Sequence, residues 1–271
     1  MIDRFRTRRA LSAAFVVAAT LFAATVPAGA APDVVPPPGN TGFDYQIGAP
    51  YPPPSGVQVV SRDRTAPPAP NVYTICYVNA YQTQPGELAW WRANHEDLLL
   101  HDADGNEVVD SDWGEVLLDT STAAKRAALA DLVGGWIDGC AADGFRAVEP
   151  DNLDSWTRSQ RLLDRADALA YARLLTARAH ADGLAIGQKN TAEIANVGRR
   201  TGFDFAVAEE CAEYDECGDY TAAYGAEVFV VEYDRTGFDK ACRTVGDELS
   251  VVLRDRDVTA PGSDTYVRDA C

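Results

Sequence analysis

Residues 123–154 read AAKRAALADLVGGWIDGCAADGFRAVEPDNLD, and this stretch decides the fold class. From Ala123 to Ala142 it carries Ala, Leu, Val and Trp at helical spacing, behind hydroxyl residues 120–122 that can cap a first turn. Phe145 to Glu149 then forms an apolar run of strand length. A helix that leads directly into a buried strand is typical of an α/β protein.

The same alternation of helix and strand patterns extends along the chain. A second helix is predicted over 165–181, ending at Asp182-Gly183, where glycine can adopt the left-handed conformation. The eight predicted strands are Phe43–Ile47, Val57–Ser61, Val72–Val78, Phe145–Glu149, Leu184–Gly187, Phe203–Glu209, Glu227–Tyr233 and Leu249–Leu253. Eight parallel strands with crossover helices favour a closed (β/α)8 TIM barrel over an open doubly wound sheet. The connection over 48–56 holds four prolines, so we expect the barrel to begin irregularly.

The N-terminus has the features of a secretory signal peptide over residues 1–31. Arginines precede an apolar stretch over 10–26, and Ala28 and Ala30 have the spacing of a cleavage site. Adjacent Arg8 and Arg9 leave twin-arginine export open beside the Sec route. We expect an extracellular protein without a membrane span, with a proline-rich lead over 32–41 and one barrel domain over 42–271.

The chain is strongly acidic, with a formal net charge of −17. Removing residues 1–31 takes away four arginines and one aspartate, which leaves the remainder three units more negative. This charge argues against nucleic acid and for a neutral or cationic partner. The alternative is that an acidic surface only keeps a secreted protein soluble.

Six cysteines all lie in the exported part, which predicts three disulfides in an oxidising compartment. Fifteen connectivities are possible. Cys211 with Cys217 would close a small loop, Cys242 with Cys271 would fasten the C-terminus, and Cys76 with Cys140 remains by elimination. A zinc site competes, but no C-x-x-C occurs and only three histidines are present, so we expect no metal.

Polar residues follow the predicted strands at their C-terminal ends, where TIM barrels carry their active sites. We predict substrate-binding roles for Asp44, Gln46, Asp63, Tyr77, Asn152, Asp154, Lys189, Asn190, Glu210, Tyr233 and Asp255. Any one such residue could instead cap a helix or form a turn, as Asp154 could.

Two carboxylates, Asp151 and Glu209, are the predicted catalytic pair. They are 58 positions apart, about two βα units of roughly 30 residues each, which puts them on the fourth and sixth strands. Glu149 and Asp151 can face alike because side chains alternate along a strand. One carboxylate that attacks the anomeric carbon and one that protonates the leaving oxygen are what a retaining glycosidase requires.

Four motifs together resemble glycoside hydrolase family 114, the endo-α-1,4-polygalactosaminidase group related to spherulin-4-like proteins. They are EPDNLD at 149–154, GQKN at 187–190, EEC with EYDEC over 209–217, and VEYD at 231–234. The resemblance spans roughly Phe43 to Asp255 and implies a TIM barrel that cleaves α-1,4-linked galactosamine polymers without a cofactor.

The resemblance also implies roles for individual residues. Asp151 would be the nucleophile and Glu209 the acid/base, while Lys189, Asn190 and Tyr233 would line the sugar pocket. One departure is Ala208, where an asparagine is expected, so one polar contact near the acid/base is in question.

Two other functions remain open from the sequence. One is a non-catalytic secreted carbohydrate-binding barrel, which the presence of both carboxylates disfavours. The other is a glycosidase of different sugar specificity, because many sugar-cleaving barrels share this fold and acid pair. In each case we expect a monomer whose partner is a polysaccharide.

Overall fold

The computed structural model describes residues 33–271, so the predicted signal peptide lies outside the described residues. The strands are β1 (Gly42–Gln46), β2 (Val57–Asp63), β3 (Tyr73–Asn79), β4 (Val109–Asp110), β5 (Glu115–Val116), β6 (Ala147–Asp151), β7 (Ala185–Lys189), β8 (Phe205–Glu209), β9 (Val228–Glu232), β10 (Ser250–Arg254) and β11 (Arg268–Ala270). The α-helices are α1 (Leu88–Asn94), α2 (Ala123–Asp143), α3 (Arg165–Ala181), α4 (Ala195–Thr201), α5 (Cys217–Tyr224) and α6 (Arg235–Thr244). Short 3-10 helices cover Glu96–Leu98, Ser155–Arg158 and Ala192–Ile194.

Eight parallel strands form the barrel in the order β1-β2-β3-β6-β7-β8-β9-β10. The ends of this sheet meet where the Thr41 N–H donates to Ser250 Oγ at 3.0 Å. Strand β11 pairs antiparallel with β10, and its Arg268 donates to Asp44 Oδ1 on β1 at 3.0 Å. The (β/α)8 prediction is confirmed, and each predicted strand is present with ends shifted by no more than two residues.

The two predicted helices are also confirmed, together with their start signals. Thr122 precedes α2 and its side chain accepts the Lys125 N–H, while Gly144 ends the helix at φ 96°. Asp164 accepts the Asp167 N–H at the start of α3. These caps satisfy backbone N–H groups that have no partner within the helix. None of the helices in the described part of the chain combines the length and apolar character needed to cross a bilayer.

The barrel begins irregularly, as predicted. No helix follows β1 or β2, and a buried polar network covers the outer face of β1. In this network Arg62 donates to Gln46 Oε1 and to the Tyr51 carbonyl oxygen, at 3.0 and 2.7 Å. The proline-rich connection and the C-terminal segment therefore take the place of crossover helices.

Alternation along the strands separates two apolar layers. The barrel interior holds Phe43, Val59, Ile75, Ala147, Phe205, Val207, Phe229 and Val252. The larger layer lies between the strands and the helices, and it contains the buried Leu129, Val133 and Ile137 of α2. Ala208 belongs to this outer layer. An asparagine there would point away from the barrel mouth, because Ala208 and Glu209 lie on opposite faces of β8.

Three disulfides connect Cys76 to Cys140, Cys211 to Cys217 and Cys242 to Cys271, as the spacing predicted. The first joins β3 to α2 and so encloses the long connection between them. The second closes the loop directly after Glu209. Each of these two bonds therefore constrains one of the segments that surround the barrel mouth.

Candidate active site

A cavity of about 380 Å³ opens at the C-terminal ends of the barrel strands. Nine of the predicted site residues line it: Asp63, Tyr77, Asp151, Asn152, Asp154, Lys189, Asn190, Glu209 and Tyr233. Ligand cavities commonly have volumes of roughly 300–1,000 Å³. The strand ends thus bring together groups that are up to 170 positions apart in the sequence.

Lys189 lies at the centre of this arrangement. Its Nζ is 3.1 Å from Asp151 Oδ1, 3.2 Å from Glu149 Oε1 and 3.3 Å from Glu209 Oε2. Burial lowers the pKa of a lysine, but the three carboxylates outweigh it and raise the pKa of Lys189 well above its usual value. The ammonium therefore stays charged and holds the two predicted catalytic carboxylates around one cation.

Asp151 is surrounded by hydrogen-bond donors. Its Oδ1 accepts from Lys189 Nζ and from the Asn152 N–H at 2.8 Å, and its Oδ2 accepts from the Tyr77 hydroxyl at 2.7 Å. Burial raises the pKa of Asp151, but the Lys189 charge and these hydrogen bonds outweigh it, so the pKa is lowered. The side chain is therefore an ionised carboxylate at neutral pH.

Glu209 is oriented by neighbours just after β7 and just after β9. Asn190 donates to Glu209 Oε2 and accepts the Glu209 N–H, both at 2.8 Å. The Tyr233 hydroxyl donates to Glu209 Oε1. Burial and the nearby Glu209 charge raise the pKa of Tyr233 well above its usual value. Tyr233 therefore keeps its proton and fixes the direction of the carboxyl group.

A buried polar layer supports these groups from below. The Tyr45 hydroxyl donates to Glu149 Oε1 at 2.8 Å and the Ser61 hydroxyl donates to Oε2 at 2.6 Å. Burial raises the pKa of Glu149, although Lys189 opposes the shift. The predicted site residues did not include Glu149, although its position two residues before Asp151 places it on the same face.

The backbone turns sharply where these strands end. Asn152, Asn190, Thr191 and Glu210 have φ values of 64°, 48°, 68° and 58°. A left-handed conformation is costly for non-glycine residues, above all for a β-branched one such as Thr191. Asparagine tolerates this conformation better than most other non-glycine residues, and it occupies the position directly after β6 and after β7.

Four predicted substrate-binding residues lie outside the cavity, and their placement corrects the prediction. Asp44 and Gln46 alternate with the inward Phe43 and Tyr45, so they face outward, and Gln46 Nε2 donates to Asp44 Oδ2 at 2.8 Å. Asp255 accepts the N–H groups of residues 259 and 267 and forms a turn.

The fourth residue, Glu210, pairs with Arg256. It follows Glu209 directly, so only one of the two can face the barrel mouth. Asp154 does line the cavity, but it pairs with Arg158 through two contacts of 2.8 Å. Asp44, Asp154 and Glu210 are therefore each paired with an arginine of the protein.

One side of the cavity comes from a segment that the sequence did not identify. Strands β4 and β5 form a two-stranded hairpin, whose residues Asp110, Asp112, Trp113 and Glu115 line the cavity. We call these four residues the hairpin wall. Such short strands carry little periodicity, and nothing in their local sequence shows that a loop will fold over the barrel mouth.

The cavity lining is acidic overall. Eight aspartates and glutamates line it, against three lysines and arginines: Asp63, Asp110, Asp112, Glu115, Asp151, Asp154, Glu209 and Asp257, against Arg158, Lys189 and Arg256. Such an excess of one sign attracts a ligand of the opposite charge.

A group of possible metal ligands among the described residues lies away from this cavity. Atoms of Glu96, His101 and Glu107 lie within 4.8 Å of one another. Arg92 binds both carboxylate oxygens of Glu107 at 2.6 and 2.7 Å, and His101 Nε2 is 3.1 Å from Glu96. The side chains of this group therefore already have partners within the protein, and the group contains no predicted site residue.

Comparison with known proteins gives a family match and structural neighbours. Residues 23–271 match glycoside-hydrolase family GH114. The crystal structure of Aspergillus fumigatus Ega3 in complex with galactosamine is similar, with a TM-score of 0.68 and 22% identity, over 91% of this chain and 99% of that one. The glycoside hydrolase domain of PelA from Pseudomonas aeruginosa is also similar, with a TM-score of 0.54 and 14% identity, over 82% and 96%. None of the curated proteins compared matches the chain.

Proposed function

This chain belongs to glycoside-hydrolase family GH114, and we propose that it is a secreted, endo-acting hydrolase that cleaves α-1,4-linked galactosamine-containing polysaccharide with retention of configuration. The observation that carries the proposal is the contact of Asp151 and Glu209 with the same ammonium group, Lys189 Nζ, at 3.1 and 3.3 Å.

This shared contact limits the gap between the two carboxylates. The nearest oxygens of Asp151 and Glu209 cannot be further apart than the sum of the two distances. A limit of this size accommodates the roughly 5–5.5 Å that separates the carboxyl groups of retaining glycosidases. The geometry therefore supports direct attack by a carboxylate on the sugar.

In the first step Asp151 attacks the anomeric carbon and forms a glycosyl ester, while Glu209, in its protonated form, gives its proton to the departing glycosidic oxygen. In the second step Glu209 takes a proton from water, the water oxygen bonds to the anomeric carbon, and Asp151 leaves as a carboxylate. The lowered pKa of Asp151 suits the attacking role. Tyr77 and Lys189 stabilise the same carboxylate when it leaves, because they donate to both of its oxygens.

The substrate class follows from the charge of the cavity together with the family. The acidic lining favours a polymer with ammonium groups, and Ega3, which shares the fold, was crystallised with galactosamine. Export is proposed from the N-terminal sequence, and the three disulfides support an oxidising compartment. The domain limits of 42–271 and the endo mode are part of the same proposal.

The test incubates the mature protein with deacetylated and fully N-acetylated α-1,4-galactosamine polymer. We expect the deacetylated polymer to be cleaved into oligomers, and proton NMR taken early in the reaction to show a product that begins as the α-anomer. Release of monosaccharide alone would contradict the endo mode. An initial β-anomer would contradict retention, and cleavage of neither polymer would contradict the proposed substrate.

A further inference from the structure

The hairpin wall is fixed firmly at the rim of the cavity. The Thr83 hydroxyl accepts the Val116 N–H at 3.1 Å, and Gln82 Nε2 donates to Asp110 Oδ2 at 3.0 Å. Arg158, from the segment after β6, contacts the same Asp110 carboxylate at 2.6 Å. The hairpin backbone and the Asp110 side chain are therefore held in place beside the catalytic centre.

Glu115 in this wall is a buried carboxylate with a free acceptor. It is 8% exposed and lines the cavity. Its Oε2 accepts from Asn79 Nδ2 at 2.8 Å and from Asn152 Nδ2 at 3.5 Å. Within residues 33–271, no side chain or backbone group donates to Oε1.

Two carboxylates at the mouth, Asp151 and Asp110, differ from Glu115 because each contacts a cation. Asp151 contacts Lys189, and Asp110 contacts Arg158. The partners of Glu115 are amides, which cannot neutralise a carboxylate. Glu115 Oε1 is accessible from the cavity, so a ligand with a charged donor can form a charge-assisted hydrogen bond to it.

Trp113 lies two residues before Glu115 and also lines the cavity. It is 59% exposed, although a ring of this size is usually mostly buried. An exposed indole face attracts an ammonium group that approaches within about 6 Å of the ring centre. The same face can cover the apolar side of a sugar ring.

We propose that Trp113 and Glu115 form a binding subsite for an amino-sugar unit of the polymer, in which Glu115 Oε1 accepts from the sugar's ammonium group and the Trp113 ring covers that sugar. This inference rests on the proposed function, because it takes a galactosamine polymer as the ligand. It assigns the choice between free amine and acetamide to one carboxylate outside the catalytic pair.

The ionisation of Glu115 agrees with such a role. Burial raises its pKa, as do the charges of Asp151 and Asp110, while Asn79 and Arg158 oppose them, and the result is a pKa of about 7. A bound ammonium would favour the ionised form and lower this pKa. The ligand would thus supply the positive charge that the protein does not place next to Glu115.

The test measures binding in an Asp151→Asn background, so that the probe is not cleaved. The probes are a deacetylated α-1,4-linked galactosamine oligosaccharide and its fully N-acetylated counterpart, titrated by calorimetry. Glu115→Gln is added to this background and keeps an acceptor for Asn79. It should raise the Kd for the deacetylated probe by about 10-fold or more, and it should change the Kd for the N-acetylated probe by less than about 3-fold. Trp113→Ala should raise both Kd values by about 3- to 30-fold.

Two matched variants serve as controls. Glu232→Gln removes another buried carboxyl group with a pKa of about 7, on the outer face of β9, and Trp90→Ala removes an exposed indole outside the cavity. Both should bind the probes as the background protein does. KM values of the single variants with the polymers give a second readout that does not depend on Asp151→Asn.

The outcomes separate this inference from the proposed function. If the protein cleaves the deacetylated polymer but Glu115→Gln and Trp113→Ala bind it as tightly as the background, the subsite is wrong and the proposed function stands. Equal losses for both probes in Glu115→Gln would overturn the ammonium contact. If the unmodified protein neither binds nor cleaves either material, the proposed substrate itself is wrong.

Discussion

The proposed catalytic centre and the hairpin wall face the same cavity but are built differently. Asp151, Lys189 and Glu209 stand at the ends of parallel strands, where the sheet fixes their spacing. Asp110, Trp113 and Glu115 stand on a hairpin in the long connection between β3 and α2. The first group carries the chemistry that barrels of many kinds share, whereas the second lies on a loop that can differ while the barrel is kept. We therefore expect changes in the first to affect rate and changes in the second to affect affinity.

The largest expected effect is on the rate. Asp151→Asn and Glu209→Gln should each lower kcat by about 10³-fold or more while the fold stays intact, because each removes a group that acts on the reacting bonds. Glu210→Gln is the matched control at the next position, and its kcat should change by less than about 3-fold, since Glu210 does not line the cavity and pairs with Arg256. Steady-state kinetics with the deacetylated polymer measures kcat, and circular dichroism shows whether the fold is intact. A larger loss in Glu210→Gln than in Glu209→Gln would show that the other glutamate is the acid/base.

The next effect is on stability within the catalytic centre. Lys189→Met leaves three carboxylates around a buried position without their cation, so the free energy of unfolding should fall by about 3–5 kcal/mol. The loss should be greater at pH 8 than at pH 5, where protonation relieves the repulsion. Urea unfolding of the variant and the unmodified protein at the two pH values measures this loss of unfolding free energy. Lys240→Met, which removes a pair with the exposed Asp215, should cost less than about 1 kcal/mol. Equal costs for the two variants would contradict the central role of Lys189.

A smaller effect compares Glu115 with Glu232 on the outer side of the barrel. Burial raises the pKa of each from 4.5 to about 7. Between these values the folded state holds a proton that the unfolded state has lost. Each group therefore stabilises the fold most at acidic pH, and this stability is lost as the pH rises from 4.5 through 7.

The unfolding free energy of the unmodified protein should fall as the pH rises from 4.5 to 8. With glutamine in place of either residue, this fall should be smaller by about 3 kcal/mol. Urea unfolding across this pH range measures the slope, independently of any constant cost of the substitution. Only Glu115→Gln should also change substrate affinity. An unchanged slope in both variants would mean that neither carboxyl group holds a proton near neutral pH.

The smallest effect concerns the disulfide beside Glu209. Replacing Cys211 and Cys217 together with serine should lower the unfolding free energy by about 2 kcal/mol, because the bond closes a short loop. The loop is also held by the Ala212 N–H, which donates to Glu232 Oε1 at 2.9 Å. We therefore expect kcat to fall by less than about 10-fold. Thermal unfolding and kinetics measure the two effects, and inactivation of the enzyme would show that the disulfide itself positions Glu209.

Much of the fold could be predicted because its signals are local. Helix α3 has the predicted limits, since Asp164 caps its start and Gly183 follows its end. The barrel strands are short apolar runs, each followed by polar residues, and that order alone predicts a catalytic face. The proposed catalytic pair could also be placed on the fourth and sixth barrel strands, which are β6 and β8, because the spacing of βα units is regular.

The barrel and the residues after each strand could thus be predicted from the sequence, because they depend on local pattern and the alternation of side chains, whereas the six cysteines left fifteen possible pairings. The tertiary structure alone decided which of those residues meet. It turned Asp44 and Gln46 outward, placed Glu149 beneath Lys189, and brought Trp113 and Glu115 over the mouth. These placements depend on contacts between segments far apart in the chain. No local propensity encodes such contacts, because each one forms only when the whole barrel closes.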